Sequence, residues 1–387
     1  MSLLRTPRAR PAVGAVIASL VLLGGCAQSE VKDSTEAQTD QSAIDEARSR
    51  IEGLAAPLTE YPAEPAISKP VSLEGKTVMV LPLGDSVPVI HGTAVGIQDG
   101  LEAAGASSKL CDGKFTPTVV ADCLTQAVDG DVDAVVTLFI DYQAAAAAFD
   151  DVVAKGIPVL VGGVAAPEGT KSTDKLAFYD NTPRSRLLFE ALSEAAIGLH
   201  GEDTDVLWLR LLDSTTTTGA SDAGIERFEE TCPDCGIATA DFTTPNIDKM
   251  PSSVSAALVG NPDTNTVIVP TDSFVAPALQ GIQAAGFDDK VDVVSGGSDL
   301  AGLQRVKDGQ QAVDLGTPVI YEGWKYVNAL MQMLAGDEVT KVEELVTRAF
   351  NEENVGELKL EDAAYFSADW FGDDSFKAAF LEAWGAN

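Results

Sequence analysis

TVMVLPLGDSVPVIHGTAVGIQDGLEAAG, residues Thr77–Gly105, is the stretch that decides the fold. It opens with an uncharged apolar run over Thr77–Leu83, the length of a strand buried on both faces of a parallel sheet, although a short buried helix reads similarly. The turn Gly84-Asp85-Ser86-Val87-Pro88 follows. Ile90, Ala94, Ile97, Leu101 and Ala104 then recur at steps of three and four, one face of a helix that closes at Gly105. Strand, polar turn and helix make the first unit of a doubly wound α/β domain, whose ligands lie at the carboxyl ends of the strands. The 84–90 turn is therefore the first place to look for function.

The alternation continues outward from this unit. Strand patterns at 108–111, 134–140, 157–161 and 175–179 interleave with helical patterns at 119–128 and 143–155. After a pause at Tyr179-Asp180-Asn181-Thr182-Pro183-Arg184 comes a long helix, Arg186–His200. A second series of strands at 205–212, 237–242, 266–270, 291–295 and 311–315 alternates with helices and ends in a helix over Val319–Leu334. Two halves fit this order, each a parallel sheet with helices on both faces. The tail, 341–387, gathers Tyr365, Phe366, Trp370, Phe371, Phe376, Phe380 and Trp384, a spacing that favours a packed terminal helix over a ligand box.

The amino terminus reads as a targeting signal. MSLLRTPRAR is basic, Pro11–Leu23 is apolar, and Leu23-Gly24-Gly25-Cys26 resembles a bacterial lipobox, which implies cleavage before Cys26 and acylation of its thiol. An ordinary signal peptide with a stray cysteine is the alternative. Residues 26–70, rich in Ser, Thr, Ala, Glu, Gln and Pro, read as a flexible tether with at most one short helix near Ile44–Leu58. The formal net charge of −33 excludes a nucleic-acid surface, because phosphate binding needs clustered Lys and Arg. Four cysteines remain in an oxidising compartment, and proximity pairs Cys111 with Cys123 and Cys232 with Cys235. A zinc site built from the Cys232–Cys235 pair and the looser Cys111, Cys123 pair, or a thioredoxin-like motif at Cys232–Cys235, is the weaker reading, so no metal and no cofactor are expected.

Catalytic signals are poor. His91 and His200 are the two histidines, and neither has a partnered Ser or Cys at a recognisable spacing. No nucleophile elbow, phosphate loop or dinucleotide fingerprint is present. Ser214-Thr-Thr-Thr-Thr-Gly219, between a strand and a helix, either offers hydroxyls and a helix amino terminus to a ligand or merely caps the helix. Binding without chemistry is the economical conclusion, with an exported enzyme or a ligand sensor as the alternatives.

Residues 76–335 resemble the type I periplasmic solute-binding proteins, the ribose- and galactose-binding group of ABC importers. The resemblance rests on the order of units and on local landmarks: Pro88-Val-Ile-His-Gly-Thr-Ala-Val-Gly96, Lys155-Gly-Ile-Pro-Val159, Tyr179-Asp180-Asn181, Asn261-Pro262-Asp263 with Thr271-Asp272, and Gly309–Pro318. It implies two lobes joined by a three-crossing hinge, with 76–180 and about 272–316 in the first lobe. The second lobe would hold 184–270 and about 317–340, with the tail packed on both. It also implies capture of a small solute for a permease, by a monomer held by its lipid anchor on the outer face of the cytoplasmic membrane. The family's sugar-binding pattern departs here: Val87, Val89 and Ile90 stand for an Asn and two aromatics. Leu138, Gly163-Val164, Asp222, Gly297 and Gly316 fall where other polar ligands are expected. Polar candidates near the cleft are Asp85, Ser86, His91, Tyr142, Tyr179, Asp180, Thr217, Asp222, Thr271, Asp272, Ser298 and Thr317, with Val89 and Ile90 as an apolar wall. Asp85 and Asp272 serve equally well as turn caps. An unpaired buried hydroxyl costs about 1–3 kcal/mol, so this set favours a partly apolar solute over a plain pentose or hexose.

Overall fold

The run that opens the fold is a strand, β1 (Thr77–Pro82), and its Val78, Val80 and Leu81 are fully buried. Each such side chain contributes about 1.5–3 kcal/mol by leaving water, which fixes β1 inside its sheet. In this computed structural model the described residues are 40–62, 64–342 and 344–385. The expected signal sequence and lipidation site at Cys26 lie outside them. Before β1 stands α1 (Gln41–Gly53), capped by Asp40, whose carboxylate accepts from Ser42 N–H at 2.9 Å.

The first sheet is completed by β2 (Ser107–Leu110), β3 (Ala134–Leu138), β4 (Val159–Gly162) and β5 (Leu176–Tyr179). Its order is β2-β1-β3-β4-β5, all parallel. Helices α2 (Pro88–Ala103), α3 (Pro117–Asp129) and α4 (Ala146–Ala154) connect its strands. Pro88 opens α2 with φ already suited to a helix and no N–H to waste.

The chain crosses to the second lobe at 180–181 and begins α5 (Thr182–His200). That lobe holds β6 (Asp205–Leu211), α6 (Thr215–Thr231), β7 (Gly236–Phe242), α7 (Met250–Gly260), β8 (Thr266–Val269) and α8 (Val275–Ala285). It continues through β9 (Asp292–Gly297), α9 (Leu300–Lys307) and β10 (Val313–Gly316). At 317–318 the chain returns, and α10 (Val319–Ala335) packs along α2. Gly96 and Gly323 let the two helices touch backbone to backbone, since a Cβ on Gly323 would lie 2.3 Å from the carbonyl carbon of Gly96. A third crossing, 336–347, leads to β11 (Arg348–Phe350), which joins the second sheet antiparallel to β10. The second sheet runs β11-β10-β9-β8-β6-β7.

Two boundaries differ from the sequence reading. Residues 272–316 belong to the second lobe, because β9 and β10 pair in register beside β8, and 317–335 belong to the first, because α10 docks on α2. No crossing occurs near 272. Strand and helix order is the same under either partition, so periodicity could not choose between them. From residue 40 on, the expected tether is ordered structure: Ile44 and Ala47 are buried against α5, and Leu58 N–H bonds to the Phe371 carbonyl. The tail, with α11 (Asp362–Tyr365) and α12 (Ser375–Ala383), packs on α10, where Trp384 stacks on Trp324 at 5.2 Å and bonds Asn328. Disulfides join Cys111 to Cys123 and Cys232 to Cys235. Among the described residues no helix is long and apolar enough to cross a membrane.

Candidate functional site

The carboxyl ends of both sheets face a common cleft, and the turns there enclose a cavity of about 100 Å³. That is the room of several ordered waters, at on the order of 15 Å³ each. The first lobe supplies an apolar wall. Leu83, Val87, Val89 and Ile90 come from the turn after β1, Phe115 from the loop after β2 and Phe139 from the end of β3.

Both aromatic residues are held in left-handed backbone, Phe115 at φ 51° and Phe139 at φ 59°. A bulky residue rarely adopts that region, and strain of this kind collects at binding sites. The loop around Phe115 is heavily constrained. Cys111 and Cys123 bracket it, Asp112 accepts from the N–H groups of Asp85 and Lys114, and Phe115 N–H bonds the Leu83 carbonyl at 2.7 Å. Gly84 makes the ring's position possible, because a Cβ there would lie 2.0 Å from it.

The second lobe supplies the polar edge. Arg184 and Ser185 of α5 line the cavity, with Asp213, Ser214 and Thr217 after β6, Thr244 after β7, and Thr271 after β8. Arg184 is buried. Its Nε donates to Glu322 of α10 at 3.1 Å and its Nη2 to Thr317 at 3.0 Å, so the guanidinium is neutralised across the hinge. Asp213 accepts from the N–H of Thr244 at 2.8 Å and from that residue's hydroxyl, holding two turns together at the cavity edge.

The Ser214–Thr218 run divides its hydroxyls among different tasks. Ser214 and Thr217 form a reciprocal capping box at the start of α6. Thr215 donates through both N–H and hydroxyl to Asp141 of the first lobe, at 3.1 and 2.6 Å. Thr216, buried, donates to the Gly163 carbonyl of the same lobe at 2.9 Å.

Of the residues singled out from sequence, Val89, Ile90, Thr217, Thr271 and Thr317 line the cavity. The others stand elsewhere. Asp85, Ser86 and His91 border a separate open groove with α9 and α11, where His91 Nδ1 lies 3.0 Å from Asp85. Tyr142 bonds Asp150 and stacks on Phe149. Tyr179 is buried beside Tyr326, and burial pushes its phenol well up. Asp180 accepts from Thr182 N–H at the start of α5, and Asp222 pairs with Arg210. Asp272 and Ser298 lie one layer beneath the cavity. Asp272 accepts from the Ser295 hydroxyl, from Gln311 at 3.2 Å and from Asp299 N–H at 2.9 Å, and Asp314 accepts from Ser298 N–H. Most of these groups are caps and buttresses whose hydrogen bonds are met within the protein, while the hydroxyls of Tyr179 and Ser298 are buried without a hydrogen-bond partner among the described residues. Burial and the charge of Asp272 push Asp299 up to about 6. Among the described residues no cluster of three or more His, Cys, Asp or Glu is arranged to hold a metal ion.

Sequence reasoning missed Phe115, Phe139, Arg184 and Asp213. Arg184 had a signal: a cation at the first crossing of a strongly acidic chain. Phe139 had none, since it continues the apolar run of β3 and only its backbone turns the ring into the cleft. The argument from a lost stacking ring fails for this reason, because two rings reach the cavity from other loops.

A family described as periplasmic binding protein domain matches residues 78–338. No curated protein matches the chain. Solved structures share the fold. The 5-methylthioribose transporter solute-binding protein of Thermotoga lettingae, in complex with 5-methylthioribose, is 14% identical with a TM-score of 0.65, over 81% of this chain and 99% of that one. An ABC transporter solute-binding protein of Agrobacterium vitis with bound allitol is 18% identical with a TM-score of 0.61, over 74% and 98%. A Mycobacterium smegmatis protein in complex with β-D-fucofuranose is 16% identical with a TM-score of 0.59, over 80% and 98%.

Proposed function

Because the chain belongs to the periplasmic binding protein domain family over residues 78–338, we propose that it is the solute-capturing lipoprotein of a bacterial ABC importer. Acylated at Cys26 outside the cytoplasmic membrane, it hands its solute to a permease as a monomer. The solute is small, uncharged and sugar-like, with hydroxyls at one edge and an apolar substituent on the other.

One observation carries this reading: an apolar wall from the first lobe faces a polar edge from the second, in which Arg184 is already paired with Glu322. The Arg184–Glu322 pair cancels its own charge. Arg184 donors and the remaining lone pairs of Asp213 suit hydroxyls, while a carboxylate solute would meet Asp213 without a free cation. The rings of Phe115 and Phe139 suit a deoxy or alkylthio group. Two of the solved structures named above hold sugars of that kind, 5-methylthioribose and β-D-fucofuranose, which supports the reading.

A calorimetric and thermal-shift panel tests it, with 5-methylthioribose, D-fucose, D-ribose, D-glucose and D-ribonate. Binding should favour the first two and be lost for ribonate. Exclusive binding of ribonate or of plain hexoses overturns the proposal. Labelling with radioactive palmitate tests the anchor: wild type should take up label, and Cys26→Ala should not.

A further inference from the structure

We propose that Asp141 is a closure residue, which sets the size of solute the cleft accepts without lining the cavity. The proposal deepens the solute-binding reading and rests on it for substrate class. Asp141 follows β3 in the first lobe, and Thr215 is the first residue of α6 in the second. The carboxylate takes both the N–H and the hydroxyl of Thr215. The next residue, Thr216, donates to the buried carbonyl of Gly163. Two consecutive residues of one lobe thus engage the ends of two neighbouring strands of the other.

Helix capping alone does not explain Asp141. Ser214 already caps α6 from within, through the reciprocal box with Thr217 that meets the Thr217 N–H, so the helix has its own cap and Asp141 takes the one further N–H of Thr215. What Asp141 adds is the attraction of a carboxylate for the positive end of a helix of 17 residues. That attraction acts between lobes. Thr217, one residue beyond, lines the cavity, and Gly163 touches the wall as well, since a Cβ on it would lie 2.8 Å from the Phe139 ring. Any solute too large for the closed cavity must push α6 away from Asp141 and Gly163, giving up these bonds. Closure and cavity size are therefore one property of the Thr215–Thr217 segment.

The test uses the mature full chain with spin labels at Glu168→Cys in the first lobe and Lys249→Cys in the second, both exposed. The cysteines of the two disulfides are paired and do not take label. Interlobe distances are measured without solute in wild type, Asp141→Ala and Thr216→Val. Calorimetry then compares 5-methylthioribose with maltose. The expected result is a shift to longer distances in both variants, about tenfold weaker binding of 5-methylthioribose, and a smaller preference for the monosaccharide. Unchanged distances together with an unchanged preference overturn the proposal. Should Asp141→Ala fail to fold, Thr215→Val removes the hydroxyl half of the same contact. If no sugar binds, the solute reading falls, while the distance measurement still decides whether Asp141 holds the lobes together.

Discussion

The turn after β1 and the turn after β6 occupy equivalent places in the two lobes, yet they divide the work of the site in opposite ways. After β1, the apolar residues Val87, Val89 and Ile90 face the cavity, while Asp85, Ser86 and His91 turn to an outer groove. After β6, the polar residues Asp213, Ser214 and Thr217 face it. The supports differ too. Beneath the first turn, α2 and α10 meet through apolar and glycine contacts. Beneath the second lobe's turns after β8 and β9 lie the carboxylates of Asp272, Asp299 and Asp314 with Arg305 as their cation. One βα position can thus serve as wall or as polar edge, according to which side of a five-residue turn looks inward.

The largest predicted effect breaks the contact the lobes share. Glu322→Gln leaves the Arg184 guanidinium buried without its counter-charge, and losing one partner of a buried pair costs about 3–5 kcal/mol. Denaturant unfolding should show that loss. Calorimetry should show new affinity for D-ribonate, because Arg184 is then free to pair with a solute carboxylate. Unchanged stability and selectivity would mean that Glu322 does not neutralise the site.

A second prediction separates the supports. Asp299, pushed up to about 6 by burial and by Asp272, holds its proton more tightly folded than unfolded, where its ordinary value is 3.8. Its stabilising effect is complete below that lower value and is lost as pH rises through about 6. Asp299→Asn keeps the cap on Gly302 N–H and removes the penalty. It should therefore be more stable than wild type at pH 7, by up to about 3 kcal/mol, and no more stable than wild type at pH 4. A gap independent of pH would assign the effect to packing. No such difference is expected from changes in the first lobe's wall.

Much of the fold was legible because a strand buried on both faces and an amphipathic helix leave different periods in the chain. The site was legible only in part. Val89 and Ile90 were found because apolar residues in a turn are conspicuous. Asp272 and Asp85 were misplaced because a carboxylate in a turn has the same spelling whether it caps, buttresses or binds. The partition of the lobes was missed for a related reason: 272–316 and 317–335 carry correct elements, and only sheet pairing shows which lobe owns them. Phe139 depends on one left-handed residue, a feature of backbone that composition does not record.

The smaller predictions bear on the wall and the edge directly. Asp213→Asn keeps the bridge to Thr244 in outline but halves the acceptor oxygens at that position, so 5-methylthioribose and D-ribose should both weaken about tenfold, in line with one unmet hydrogen bond. Phe139→Ala should act on one of them only. The ring can touch the methylthio group but gains little from a hydroxymethyl, so the preference for 5-methylthioribose over ribose should shrink about fivefold to tenfold while ribose binding holds. Phe139→Gly then separates ring from backbone. Glycine adopts φ 59° freely, so it should be more stable than the alanine variant by about 1 kcal/mol and yet show the same lost preference. If glycine instead matched alanine in stability, the left-handed turn at 139 would be costing the protein nothing. If ribose fell as far as 5-methylthioribose, the ring would be shaping the cleft as a whole, and the division between apolar wall and polar edge would not describe how the site reads its solute.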